Sequence, residues 1–237
     1  MAYIDLPAPA FPSPSPMHIP DGFLSGPVAA LGYALAAAFV AVAVWRTNRS
    51  LSEKSVPLMG VTAACIFAAQ MMNFPVAGGT SGHLLGGTLA AILVGPWAAI
   101  IVMTSVVGVQ GLMFQDGGLS ALGFNVFNMG VITALVGYGI YHLATLLTNG
   151  RRSWVLPIGV FVASWLTVML AAFATSIELA VSGTSPLHVV LPAMMGVHAL
   201  IGVGEGLITA AAVTFVLTTR PDLVEQPQRV AREGGLS

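Results

Sequence analysis

Two histidines stand beside the two stretches of this sequence that are best suited to turning the backbone. His18 opens into Pro20 and the turn-forming pair Asp21-Gly22 within MHIPDGFLS, and His83 closes the run NFPVAGGTSGH, residues 73–83. A chain that begins Met-His offers a planar chelate. The free amine of Met17, the deprotonated amide nitrogen of His18 and Nδ1 of the His18 ring close two fused rings and leave one position in their plane unfilled. His83 is a candidate for that position. Tetragonal coordination by nitrogen alone suits Cu(II) or Ni(II) and accommodates Co(II), whereas zinc prefers a tetrahedron and magnesium an octahedron of oxygens. Because amine and amide must lose protons, such a site loses affinity at acid pH. Gly78, Gly79 and Gly82 permit backbone conformations closed to other residues, so the segment can re-enter and present His83 at the head of a helix. A simpler role for His83, as an interfacial histidine capping that helix, stays open on these residues alone.

The elements that must position these groups lie in lipid. Charged residues are 7% of the 237-residue chain, against about 25% in soluble domains, and the mean hydropathy is +0.88. Apolar runs occupy about 27–45, 56–74, 84–114, 120–147, 154–181 and 187–218. A helix crosses a hydrocarbon core with about 20 residues, and the alternation of a transmembrane β-barrel is missing, so the expected fold is an all-α integral membrane protein. It comprises one membrane domain, 17–219, between a Pro-rich extension, 1–16, and a cytoplasmic tail, 220–237. A net charge of −1 gives no basic footprint for nucleic acid. The single Cys65 excludes an internal disulfide framework and a CxxC metal site; it is expected to be a small buried hydrophobe. The sixteen residues before Met17 have neither the basic start nor the apolar core of a secretory signal. Translation is therefore expected to begin at Met17, with cleavage after Pro16 as the alternative; either leaves the Met17 amine free.

Basic residues set the expected orientation in the cell membrane. Arg46, Arg49 and Lys54, then Arg151 and Arg152, then Arg220, Arg229 and Arg232 fall between or after the apolar runs, and all three groups are expected in the cytoplasm. The chain must then cross an even number of times between Lys54 and Arg151. Gly95-Pro96 breaks the stretch 84–114 into a short piece and a long one. Seven helical segments follow, the third short and sheltered by its neighbours near the re-entrant loop, with the N-terminus outside and the C-terminus in the cytoplasm. MHIPDG and residues 73–83 then share the outer side.

Polar groups inside apolar runs are expensive to bury and are candidates for function. Asn125 and Asn128 are candidates to orient a metal-bound histidine or the entering N-terminal segment, or simply to bond neighbouring helices. His198 and Glu205, seven apart, share a helix face and either pair or line a cavity. Glu178 reads as an interfacial carboxylate, His188 as a weak ligand candidate on the outer side and His142 as structural. The eleven methionines, Met194-Met195 included, read as packing residues more than as soft ligands. Ala30, Ala34 and Ala38, four apart on the first helix, allow another helix to approach closely, within this chain or from a partner.

MHIPDGFLS, GTSGHLLGG around His83, AAILVGPWAA (90–99), QDGGLSALGFNVFNMG (115–130) and VHALIGVGEGLIT (197–209) together resemble the substrate-binding membrane subunit, or S component, of cobalt/nickel energy-coupling-factor transporters. The resemblance runs from Met17 to about Thr218. It implies that Met17, His18 and His83 bind Ni(II) or Co(II) as transported substrate, with no cofactor and no catalysis by this chain. It also implies docking of the first helix onto a transmembrane coupling subunit, ATP hydrolysis by separate ATPase subunits, and a small accessory membrane subunit. No GxxxxGK[ST] pattern is present, so the energy must come from partners. Two rivals remain at this level: an intramembrane metalloenzyme using His83, His198 and Glu205, and a stand-alone secondary transporter.

Overall fold

The computed structural model describes residues 18–50, 55–71, 73–76, 80–148 and 154–224. Within them α1 (Gly26–Ser50) and α2 (Ser55–Gln70) lead to a hairpin of β1 (Asn73–Val76) and β2 (Thr80–His83). The helices α3 (Gly87–Val94), α4 (Pro96–Met113), α5 (Leu122–Val126) and α6 (Thr133–Leu147) follow, then α7 (Val155–Val181) and α8 (Leu187–Thr219). A π-helical turn, Phe127–Ile132, joins α5 to α6, so the seven expected helical segments are present. Five of them are long and apolar enough to cross a membrane: α1, α4, the α5–α6 run, α7 and α8. The Arg220 end of α8 continues into a short 3-10 turn, Pro221–Leu223.

The Gly-Pro break is where the sequence puts it. Gly95 adopts φ 84°, and Pro96 opens α4, its ring unable to continue α3. At 1.5 Å per residue, α3 rises about 12 Å and α4 about 27 Å. Since α3 and α4 share that corner and pack together, the chain enters α3 about half-way along α4. The neighbours agree: Gly87 sits against Thr133, and Thr88 against Gly137, near the middle of the α5–α6 run. Thr88 Oγ1 lies 2.8 Å from Thr167 Oγ1 of α7, and Ser164 Oγ 3.3 Å from Thr209 Oγ1 of α8. Hydroxyl pairs of this kind join helices where lipid offers no hydrophobic drive.

Two expectations need correction, and one left open is narrowed. Residues 73–76 and 80–83 pair as antiparallel strands, with Asn73 opposite His83 and Val76 opposite Thr80, in place of an irregular re-entrant loop; pairing satisfies backbone groups that lipid cannot. His83 accordingly ends a strand, and α3 begins four residues later. Cys65 is exposed, because α2 buries only the stripe of Thr62, Ile66 and Gln70. Ala30, Ala34 and Ala38 also face outward, while Gly32, Ala36, Ala43 and Thr47 make the inward face of α1.

Candidate metal centre

The N-terminal segment is laid onto the loop between α4 and α5 by a ladder of short bonds. The amide of Ile19 donates to Asn125 Oδ1 (3.1 Å), and Asn125 Nδ2 donates back to the Ile19 carbonyl (3.2 Å). That carbonyl also accepts the amide of Gly118 at 2.8 Å. Asp21 Oδ1 accepts both the amide (2.7 Å) and the hydroxyl (2.6 Å) of Ser120, bonds that hold its carboxyl below the usual carboxylate range. Pro20 and the Asp21-Gly22 turn then direct the chain into α1. Thr184, before α8, donates its hydroxyl to the carbonyl of Phe23.

Gly117 and Gly118 make this close approach possible. Gly117 has φ 94°, and a Cβ there would stand 2.6 Å from the Cβ of His18; one on Gly118 would stand 2.2 Å from the amide nitrogen of Asp21. Gly118→Ala is expected to push the segment off its loop. Metal affinity should fall at least about tenfold, the range for lost supporting contacts around a metal ligand, with helix content unchanged. Isothermal titration beside circular dichroism checks this, and undiminished affinity would show that the segment tolerates the shift.

His18 and His83 meet at the end of this ladder. Their ring centroids are 4.8 Å apart at 45°, and the residues are 7% and 4% exposed, so neither ring is a solvated interfacial side chain. Nδ1 of His83 lies 2.8 Å from the carbonyl of Leu84. A carbonyl only accepts, so Nδ1 carries the hydrogen and Nε2 keeps its lone pair. A neutral ring of this tautomer offers Nε2 to a cation. Nδ1 of His18 lies 3.2 Å from Asp116 Oδ1, and its Nε2, buried, has no hydrogen-bond partner. The planar chelate expected from the sequence assigns Nδ1 to the metal; here that nitrogen faces the buried carboxylate, the strongest acceptor in reach. Met17 lies outside the described residues.

The two rings open onto a cavity of about 60 Å³ whose wall includes Asn128, Met129, Thr175 and His198. His198 donates from Nδ1 to the carbonyl of Met194 at 2.8 Å, so its Nε2 also keeps a lone pair. The π-helical turn carries Asn128, whose Nδ2 donates to Glu178 Oε2 (2.9 Å) and Thr175 Oγ1 (3.2 Å). Glu178, expected at the interface, is 7% exposed; the re-aimed turn gives it a buried partner.

Glu205 does not join the cavity. Its two carboxylate oxygens accept the amides of Leu85 (2.7 Å) and Gly86 (2.9 Å). The structure therefore does not assemble His83, His198 and Glu205 as one centre, and among the described residues no group of three or more His, Cys, Asp or Glu side chains is arranged to hold a metal. His188 is exposed at the start of α8. His142 stacks on Tyr138, centroids 6.4 Å apart, on the far half of α6. Asp116 was missed in the sequence; the signal was an acidic residue before a Gly-Gly pair, in a stretch otherwise almost free of charge.

Residues 18–223 match the model of a family described as the cobalt uptake substrate-specific transmembrane region, CbiM. The chain is 42% identical over 212 residues to a putative fused nickel transport protein of Archaeoglobus fulgidus, covering 89% of this chain and 68% of that one. It is 35% identical over 227 residues to a cobalt transport protein of Sorangium cellulosum, covering 93% and 100%. A crystal structure described as a truncated transition metal transporter superposes with a TM-score of 0.78 at 37% identity, over 85% of this chain and 99% of that one.

Proposed function

The chain belongs to the CbiM family of cobalt uptake substrate-specific transmembrane proteins, a multi-pass membrane family of cobalt and nickel transport, and on that premise we propose that it captures Ni(II) or Co(II) for ATP-driven uptake. Within an energy-coupling-factor complex it is the substrate-binding subunit and itself hydrolyses nothing. The observation that carries this reading is the meeting of two buried imidazoles, His18 and His83, at 4.8 Å, on residues 65 apart in sequence. The donors are the amine of Met17, the amide nitrogen and Nδ1 of His18, and Nε2 of His83.

Loading through Nδ1 requires the His18 ring to make a half-turn about its Cβ–Cγ bond. That turn exchanges Nδ1 with Cδ2 and carries Nε2–H to the edge of the ring that faces Asp116. Asp116 thus serves His18 in both states, first as the acceptor that holds the empty ring and then as the outer carboxylate that raises the donor strength of a metal-bound imidazole.

The metal end of the bundle faces outward, and the tail after α8 is cytoplasmic, as the basic residues suggest. A transmembrane coupling subunit meets α1 along Ala30, Ala34 and Ala38, all of which are exposed and small enough for close helix contact. ATPase subunits supply the hydrolysis, and a small accessory membrane subunit completes the complex. Uptake of radioactive nickel or cobalt by vesicles tests the reading. Vesicles holding the complete complex are expected to accumulate metal only with ATP, and the chain alone not at all. Accumulation by the chain alone, driven by an ion gradient, would replace this proposal with secondary transport.

A further inference from the structure

Glu205 is a buried carboxylate, 2% exposed, in the middle of α8, and nothing said so far gives it a part in binding. It stands behind His83 in a continuous line. The carbonyl of Leu84 holds the hydrogen on Nδ1 of His83 at 2.8 Å, and the amide on the same peptide group, that of Leu85, donates to Glu205 Oε2 at 2.7 Å. The other oxygen takes the amide of Gly86 at 2.9 Å. From the opposite side Gln70 of α2, fully buried, donates Nε2 to the carbonyl of Leu85 at 2.7 Å.

We propose that Glu205, helped by Gln70, is a positioning residue for the His83 ligand, acting through the peptide group between Leu84 and Leu85. This rests on His83 being a metal ligand. Two effects follow from the geometry. The clamp fixes the corner between β2 and α3, so the His83 ring is held beside His18 before the ion arrives. The carboxylate also polarises the peptide group, since hydrogen bonds in series strengthen one another in a low dielectric. A stronger pull on Nδ1–H makes Nε2 a better donor, as a carboxylate does when it contacts a metal-bound histidine directly. Here one peptide group stands between carboxylate and ring.

Glu205 also satisfies two amides that would otherwise be orphaned deep in the membrane, so the test must separate support of the backbone from support of the ligand. Glu205→Gln keeps length and one acceptor oxygen but turns an NH₂ group toward an amide and removes the charge. Its Ni(II) affinity is expected to fall about 10- to 100-fold, and at saturating nickel its absorption bands should shift from those of the parent, because a weaker His83 donor lowers the ligand field at the ion. Glu205→Asp should recover part of the affinity. Gln70→Leu, which spares the charge, should lose less than Glu205→Gln.

A Glu205→Gln protein that is less heat-stable without metal, yet binds nickel with parent affinity and spectrum, would assign the residue to the backbone alone and overturn the proposal. Should that variant not fold, parent affinity in Gln70→Leu overturns it instead. His83→Ala keeps the two levels apart. If that variant binds normally the premise is lost, whereas its failure to bind beside a fully active Glu205→Gln rejects only the role given to Glu205.

Discussion

His83→Ala is expected to abolish stoichiometric binding of Ni(II) and Co(II) by detergent-purified protein that still folds. The ring ends a strand and faces a cavity, so its removal enlarges existing space without stripping a helix of its packing. Binding suffers far more. Losing an outer partner of a metal ligand costs about 10- to 100-fold, and losing one of four nitrogens directly exceeds that. The remaining three donors would also be left with water in the fourth position. Metal content after gel filtration, with circular dichroism as the folding control, gives the answer. His18→Ala should behave alike, since it takes away the ring that closes the second chelate ring. Normal metal content in both variants would end the proposal for this site.

The second large effect is expected from the N-terminus. A chain made to start at Met17 should bind tightly, and the same chain with a single alanine placed before Met17 should lose on the order of a hundredfold or more in affinity. An amine converted to a peptide nitrogen must give up a far less acidic proton before it can bind. The chain carrying residues 1–16 is expected to behave like the alanine-extended form. Competition titration of the three proteins, with N-terminal sequencing of the native one, checks both the chemistry and the expected start. Equal affinities would mean that the amine is not a donor.

Much of the fold was legible because lipid imposes length and composition on any helix that crosses it. The break at Gly95-Pro96 was legible for a local reason, the missing amide of proline. The hairpin was not. Its two four-residue strands flank Ala77-Gly78-Gly79, a three-residue connection that suits a hairpin, but glycine richness also fits an irregular loop. Which face of a helix turns inward was equally hard to read, as Cys65 and the Ala30, Ala34, Ala38 stripe illustrate. In a membrane both faces are apolar, and hydrophobicity no longer marks the inside.

At the candidate site, His18 and His83 stood out by their chemistry, and Asn125 by its amide in an apolar run. Glu205 misled: helical spacing grouped it with His198 seven residues away, yet its partners, Leu85 and Gly86, are 120 and 119 positions back in the chain. Spacing along one helix cannot reveal a bond to a broken backbone on another.

The meeting of His18 and His83 has an electrical consequence on the proposed function. A bare divalent cation would feel about 4.6 kcal/mol per 100 mV over the whole membrane field, and a proportionate share at any depth within it. Chelation removes that dependence. In the proposed site a free amine at Met17, a cation below about pH 8, and the amide of His18 would each release a proton as the ion enters. Two positive charges arrive and two leave. The loaded site would then carry the same net charge as the empty one, and capture by that chelate would neither draw on the membrane voltage nor work against it.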